Sequence, residues 1–426
     1  MLQTIIIFYS LYTVMKLYIS IMQVGYINVE KRKAPVLMSA EEYLVAGNYA
    51  VANNKLGIIT TFIDYLAFLF WVLGGFAWIN SMIEVESSLA SGVLFLFGFI
   101  IIGYIIGLPL ELYQKFKIDE EFGFNKMTPK MYIIDTLKST LLFILLGGAI
   151  FALLVWIIES YESWWLWGFV AMFSVAILAN ILAPTFMALF NKFSPLEEGE
   201  LKTKIDEMMV KVGLKNNGIF VMDASKRDSR LNAFFGGLGK SKRVVLFDTL
   251  IAKLNTNELL AVLGHELGHF KHGDIWKNIG LMGLLLFISF YLFGHLPESL
   301  FTEMKMIQGA GVEIAMLMLL LPLVSFVFTP FMSAVSRHNE YAADEFGSEL
   351  GGKENLISAL MKLITENKSF PKSHPLVIFF YYTHPPVLER LNELGFDASN
   401  TIIEEEAKEE ELAKDGIFAY VDRDEK

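Results

Sequence analysis

The sequence contains no cysteine among its 426 residues. Disulfide bonds and thiolate zinc sites are therefore excluded, and any bound metal must be held by histidine, aspartate or glutamate. Charged residues are scarce, at 19% of the chain, whereas soluble proteins carry about 25%. Hydrophobic residues make up 54%, which is typical of a protein that crosses a membrane. The sequence shows no basic patch with interleaved aromatic residues, so we expect no nucleic-acid partner.

Long apolar runs predict the fold class. Seven segments are long and apolar enough to cross a bilayer core about 30 Å thick. We expect the first to be a true span rather than a cleavable signal, because it lacks a basic N-terminal region and Lys16 interrupts it. The sequence therefore predicts a mainly α-helical, multi-pass membrane protein embedded in a lipid bilayer. The predicted spans are Thr4–Gln23, Thr61–Ile83, Leu89–Tyr113, Tyr132–Ile158, Trp165–Phe190, Ile275–His295 and Val312–Ser333.

Charges in the connecting segments predict the orientation. The connections after the first, third and fifth spans are rich in lysine and arginine, whereas SMIEVESS and IESYESWW contain glutamate and neither basic residue. Short loops rich in lysine and arginine stay on the cytoplasmic side. We therefore expect the N-terminus outside and both 191–274 and the C-terminal region in the cytoplasm. The same pattern suits a bacterial inner membrane and the endoplasmic reticulum membrane equally.

The chain outside the spans predicts a small folded region. In FSPLEEGELKTKIDEMMVKVGLK apolar residues recur at helical spacing, and GIFVMDAS, LNAFFGG and RVVLFDTL predict short strands, the last two forming a hairpin. A helix is predicted to follow, with Thr256 as its N-cap. The predicted division is 1–190 with five spans, 191–274 as a catalytic region with the hairpin, 275–336 with two spans, 337–400 as a C-terminal catalytic region, and 401–426 as a solvated acidic tail.

The stretch GHELGHFKH carries the strongest chemical signal. His265 and His269 are four residues apart, so on a helix both imidazoles project from one face and can bind one metal ion. Glu266 would lie beside that ion and take a proton from the water it activates. Two ordinary helical histidines beside a membrane span are the alternative. We predict one Zn²⁺ per chain and metal-assisted hydrolysis of a peptide bond.

A third protein ligand is needed, and SRHNEYAADEFG after the seventh span contains candidates. We predict Glu340 as the ligand; its alternative is a salt bridge to Arg337. Asp344 would accept the outer N–H of a ligand histidine, unless it is only a surface acid. His272 is expected to be structural, because a fourth protein ligand would close the position that water needs. Both motifs border predicted spans, so the metal is expected at the inner membrane surface, near a membrane-tethered substrate.

HELGH, a span, and then SRxxExxAD resemble the Ste24 family, the membrane zinc metalloproteases of the CaaX prenyl protease type. EEFGFNKMT, LNAFFGG and YTHPPVLERL match the same family in order, and the likeness covers about residues 30–395. His338 stands where the family often has a second arginine. The resemblance implies a zincin-like catalytic domain, a hollow chamber among the helices, and removal of the C-terminal tripeptide after a prenylated cysteine.

The resemblance also implies roles for residues outside the two metal motifs. Asn232 would align the substrate beside an edge strand, whose unpaired backbone groups can hold an extended peptide; a turn-capping amide is the alternative. His384 would reach the metal site and stabilise the oxyanion, unless it is only structural. Arg390 is expected to pair with a carboxylate such as Asp344.

Two other functions stay open at this level. The same chemistry could process membrane proteins or remove damaged ones without a prenylated substrate. A non-catalytic transporter or scaffold that kept a metal site is disfavoured by the intact HELGH, Glu340 and Asn232. Asp64, near the start of the second span, is either a functional intramembrane charge or an interfacial residue. The sequence gives no oligomeric state.

Overall fold

The computed structural model describes residues 1–83, 85, 87–213, 218–236 and 243–397. Within these residues, seven helices are long and apolar enough to cross a membrane, by length and composition. The predicted mainly α-helical, multi-pass class is confirmed. The predicted acidic tail, 401–426, lies outside the described residues. In chain order the seven long helices are Leu2–Glu30, Ala40–Asn80, Ser88–Glu121, Pro129–Ser160, Trp164–Met187, Asp274–Phe293 and Ala310–Gly351.

Several long helices extend beyond their apolar runs. The second begins at Ala40, where Ser39 and Glu42 form a capping box, well before the predicted span at Thr61. Hydropathy marks only the part of a helix that matches the bilayer, whereas caps and packing decide where the helix ends. The seventh long helix likewise continues from its apolar half to Gly351. This extension carries Glu340 out of the predicted span on one rigid element.

A small sheet follows the fifth long helix. Its strands are β1 (Phe193–Pro195), β2 (Ile219–Met222), β3 (Ala233–Gly236) and β4 (Arg243–Phe247). Among the described residues the order is β1-β2-β4-β3, with β2 parallel to β4 and the other two pairs antiparallel. The predicted pairing of the last two strands is present, although their connection at 237–242 lies outside the described residues. β3 forms an edge of the sheet.

A short helix shares an apolar core with this sheet. Helix Glu200–Lys211 buries Ile205, Met208 and Met209, the face that its helical spacing predicts. These side chains share one apolar core with Val244 and Leu246 of β4 and with Leu263 and Leu267. The sheet and the helix that carries the histidines are therefore parts of one packed unit. The other short helices are Asp248–Lys253, Thr256–Lys271, Glu298–Glu303, Lys353–Glu366, Pro375–Tyr381 and Val387–Glu393.

Helix Thr256–Lys271, called the HExxH helix below, begins with a capping box. Asn255 is the N-cap: its side chain accepts from the N–H groups of Asn257 and Glu258, and the Glu258 carboxylate accepts from the Asn255 N–H. The predicted cap at Thr256 is wrong. A cap at Asn255 places Glu258 at the third helical position, where it can reach back, whereas a cap at Thr256 would place Leu259 there.

Candidate metal centre

The HExxH helix packs on the end of the seventh long helix with almost no side chain between the two backbones. A Cβ added at Gly268 would lie 2.9 Å from the Ala343 Cα, and one at Gly347 would lie 2.8 Å from the His265 backbone nitrogen. Such distances exclude any larger residue at these two glycines without a shift of one helix. The close approach sets the imidazoles of one helix directly against the carboxylates of the other.

His265, His269 and Glu340 come together at this contact. One ligand atom from each lies within 4.8 Å of the other two. The two histidine Nε2 atoms are 3.2 Å apart. Glu340 Oε1 lies 3.2 Å from His269 Nε2, and Glu340 Oε2 lies 3.5 Å from His265 Nε2. The structure thus brings together the three side chains that the sequence nominated as metal ligands.

A second carboxylate stands behind each imidazole. His265 Nδ1 lies 2.8 Å from Asp344 Oδ1, and His269 Nδ1 lies 2.8 Å from Asp274 Oδ2. His269 Nδ1 donates a hydrogen bond to Asp274, because a carboxylate accepts, and its Nε2 then presents a lone pair toward His265 Nε2. His265 Nδ1 lies at ion-pair distance from Asp344 but makes no hydrogen bond with the described residues. Facing Nε2 lone pairs beside the Glu340 carboxylate repel one another unless a proton or a metal cation lies between them.

The donor set fits a metal ion on further grounds. Glu340 is 3% exposed, and its Oε2 accepts no hydrogen bond from the described residues. Arg390 Nη1 lies 3.6 Å from this oxygen, too far for a hydrogen bond. A buried carboxylate oxygen without a hydrogen bond is costly, and a bound cation would remove that cost. Burial would lower the pKa of His269, but Glu340 and Asp274 outweigh it and raise that pKa to about 9. This group of side chains therefore favours a positive charge.

Glu266 follows His265 in the HExxH helix and is half-buried. Burial raises the pKa of its carboxyl group, while the nearby His265 and His269 oppose the shift. Glu266 is near enough to both imidazoles and to Glu340 to interact with their charges, so a titratable carboxyl group lies beside the three candidate ligands.

His384 and Arg390 complete the group from the C-terminal region. His384 Nε2 lies 3.3 Å from Glu340 Oε1, and its side chain is 64% exposed. Arg390 is buried and binds both carboxylate oxygens of Asp344, at 2.6 and 2.7 Å. Asp344 therefore bridges Arg390 and His265 and is not a surface acid.

The segment that presents His384 is attached to the seventh long helix. Arg337 donates to the carbonyls of Ile378 and Tyr382, both at 2.8 Å. Ser333 donates to the Phe380 carbonyl at 3.0 Å. Arg337 is therefore engaged with this segment rather than with Glu340, which was the alternative partner considered from the sequence.

Asn232 lies at the edge of the sheet. It is exposed and directly precedes β3. Its Oδ1 accepts from the Ala233 N–H at 2.8 Å, and its carbonyl accepts from the Phe247 N–H. The structure thus places Asn232 beside an edge strand, as expected, with its side chain open to solvent.

Asp274 was not identified from the sequence as part of the candidate site. Gly273 has a positive φ of 71° and turns the chain so that Asp274, at the start of the sixth long helix, reaches back to His269. Lys277 in turn binds Asp274 at 2.7 Å. A glycine followed by an acid just after HExxH was the available signal. His272 caps the HExxH helix and contacts Phe346, in keeping with a structural residue.

Comparison with known proteins identifies the family. The family described as peptidase family M48 matches residues 195–396, and that of the CAAX prenyl protease N-terminal region, five membrane helices, matches residues 28–192. CAAX prenyl protease 1 of Saccharomyces cerevisiae is 34% identical over 408 residues, covering 86% of this chain and 89% of that protein. The chain belongs to the CAAX prenyl proteases of peptidase family M48.

Other members of the CAAX prenyl protease family support this assignment. The Homo sapiens CAAX prenyl protease 1 homolog is 31% identical, with 82% of each chain covered. The crystal structure of S. mikatae Ste24p matches with a TM-score of 0.83 at 33% identity, covering 92% of this chain and 98% of that chain. The resemblance seen in the sequence is confirmed, as are the classes of metalloendopeptidase and integral membrane protein.

Proposed function

We propose that the chain is a zinc endopeptidase that removes the C-terminal tripeptide following a prenylated cysteine. The observation that carries this proposal is the convergence of His265, His269 and Glu340 where the HExxH helix packs on the end of the seventh long helix. The relatives named CAAX prenyl protease 1 support the substrate class. The basic loops support a site on the cytoplasmic side, where a lipid-anchored C-terminus would be presented.

In this proposal the Nε2 atoms of His265 and His269 and the Glu340 carboxylate would hold one Zn²⁺. A set of two histidines and one glutamate is typical of catalytic zinc, which keeps an open position. When bound, the ion supplies Lewis acidity that activates water and polarises the scissile carbonyl. Asp344 and Asp274 hold the protons on the two Nδ1 atoms and so keep both Nε2 atoms available.

The remaining roles belong to side chains of the chain itself. Glu266 accepts the proton of the attacking water and returns it to the leaving amine. His384 donates a hydrogen bond to the oxygen that becomes negative in the transition state; its exposure leaves it free to meet substrate. Asn232 holds a substrate carbonyl while the peptide lies along the edge of β3.

The first experiment tests the proton-transferring role. Glu266→Gln keeps the size of the side chain but removes the base, so we expect peptide cleavage to fall by about 10²–10⁴-fold with zinc content unchanged. Glu349→Gln is the matched control, because Glu349 is exposed on the seventh long helix. Cleavage at the wild-type rate by Glu266→Gln would remove Glu266 from the mechanism.

The second experiment tests the substrate class. A farnesylated CaaX peptide and its unprenylated twin are offered to the detergent-solubilised enzyme. We expect a higher kcat/KM for the farnesylated peptide, because burial of its farnesyl group adds binding energy. Equal kcat/KM values would instead favour a membrane-protein processing or quality-control protease, with the same zinc chemistry.

A further inference from the structure

One amide side chain from the C-terminal region holds the backbone that leads into β3. Asn367 follows helix Lys353–Glu366 as its C-cap. Its Oδ1 accepts from the Leu231 N–H at 2.8 Å, and its Nδ2 donates to the Leu231 carbonyl at 3.1 Å. Leu231 is 4% exposed, so both of its backbone groups need a partner. Asn367 thus does for Leu231 what a neighbouring strand does elsewhere in a sheet.

The residues on either side of Leu231 are held from within the sheet region. Thr249 Oγ1 donates to the Arg230 carbonyl at 2.9 Å, and the Phe247 N–H donates to the Asn232 carbonyl at 3.2 Å. The backbone is therefore bonded at three consecutive residues before β3 begins. The bonds from Asn367 connect this strand to a different part of the molecule.

This part of the molecule lines a cleft that also contains His384. Asn367 lines a cavity of about 540 Å³ together with His384 and Arg390. Arg390 in turn binds Asp344 behind the metal group. Asn367 therefore connects the backbone that leads through Asn232 into β3 with the side of the site that contains His384, the proposed oxyanion donor.

We infer that Asn367 is a positioning residue for the peptide substrate. It sets the position of Asn232 and β3 relative to the metal group, and it acts through Leu231. The inference rests on the proposed function, since it requires that the peptide lies along this edge strand. A peptide added to a sheet edge takes its hydrogen bonds from the edge backbone, so a displaced edge binds the peptide less well.

The test compares three variants of the full-length enzyme in detergent. Asn367→Ala removes both bonds to Leu231, and Asn367→Asp keeps the acceptor but turns an oxygen toward the Leu231 carbonyl. Asn355→Ala is the matched control, because Asn355 is in the same helix and donates to the Gly351 carbonyl at 2.7 Å. KM, kcat and zinc content are measured with the farnesylated CaaX peptide.

We expect both Asn367 variants to raise KM by about tenfold, with kcat and zinc content unchanged and with Asn355→Ala at the wild-type KM. Loss of uniform binding has this effect on KM alone. A KM equal to that of Asn355→Ala would overturn the inference, even if the Asn367 variants melt at lower temperature, because that result describes a purely structural residue.

Hydrogen–deuterium exchange gives a second measurement that does not depend on activity. Residues 231–236 should exchange faster in Asn367→Asp than in Asn355→Ala, and equal exchange would overturn the inference if Asn367→Ala does not fold. Different results would contradict the proposed function and the role of Asn367. A wild-type enzyme that cleaves no peptide contradicts the proposed function, whereas normal cleavage with an unchanged KM contradicts only the role of Asn367.

Discussion

Gly268 of the HExxH helix meets Ala343 of the seventh long helix so closely that a Cβ on the glycine would lie 2.9 Å from the Ala343 Cα. Gly268 directly precedes His269, and Ala343 directly precedes Asp344. The separation between the two helices therefore sets the distance between the imidazoles and the carboxylates. The packing of the two helices and the geometry of the candidate metal site depend on the same contact.

Gly268→Ala should accordingly weaken both the packing of the two helices and the binding of zinc. The added methyl group must push the helices apart, and overpacking of this kind costs about 1–3 kcal/mol. We expect a lower melting temperature and reduced zinc content by atomic absorption. Gly280→Ala is the control, because a Cβ at Gly280 in the sixth long helix would have no atom within 4 Å. Wild-type zinc content and stability in Gly268→Ala would show that the contact tolerates a larger spacing.

Glu340→Ala should abolish stable zinc binding, because it leaves two imidazoles and no anionic ligand. Atomic absorption of the purified protein should detect zinc in the wild type and in Glu345→Ala but almost none in Glu340→Ala. Glu345 is an exposed acid on the same helix. If Glu340→Ala retained full occupancy, the proposed ligand set would have to be abandoned.

Asp274→Asn should weaken zinc binding without abolishing it. The variant removes the charge that holds the proton on His269 Nδ1, and changes behind a ligand histidine lower metal affinity by about 10–100-fold. Competition with a chromophoric zinc chelator measures the affinity. Asp206→Asn, on helix Glu200–Lys211, serves as the control. An unchanged affinity in Asp274→Asn would mean that the His269–Asp274 pair does not tune the site.

Glu258 should make the stability of the HExxH helix depend on pH. It is buried, and it accepts from Ser358 at 2.6 Å and from Lys362 at 2.8 Å. Burial alone would raise the pKa of Glu258, but Lys362, Ser358 and the Asn255 N–H outweigh it and lower that pKa. A lowered pKa means that the stabilisation is present above the unfolded pKa and is lost as pH falls through the folded pKa.

The measurement is thermal unfolding of the wild type and of Glu258→Gln. Near pH 7 the substitution should cost about 1–2 kcal/mol, from a weakened cap and a lost ion pair. The difference between the two proteins should shrink as the pH falls below the ordinary range of a glutamate carboxyl group and the wild-type carboxylate becomes protonated. A difference that stays constant over this range would exclude titration of Glu258 as its source.

Local patterns were enough to predict much of this molecule. A spacing of four residues places two imidazoles on one helical face in any helix, so His265 and His269 needed no tertiary information. Apolar length predicted the spans, and glycines between two strand-like runs predicted the pairing of β3 with β4. The N-cap was missed by one residue because Asn255 and Thr256 are both good caps, and the reach of the Glu258 side chain decides between them.

Contacts between segments that are distant in the sequence could not be predicted from local patterns. The parallel pairing of β2 with β4 joins strands separated by β3 in the chain. Asp274 reaches His269 only because Gly273 turns the chain at a positive φ. Asn367 meets Leu231 across 136 residues of sequence. No periodic pattern in the sequence marks these contacts, because each contact depends on where packing places a whole helix or strand.

The order of residues along the chain determined which groups can do chemistry here: two imidazoles and a carboxylate on one helix, and a further acid pair after the last span. Folding alone decided that they meet. The sixth long helix and the apolar half of the seventh separate His269 from Glu340 in the sequence, and the candidate ligands converge because glycines let the HExxH helix and the seventh long helix touch backbone to backbone. Spacing along a helix is local geometry, whereas the distance between helices is a result of packing.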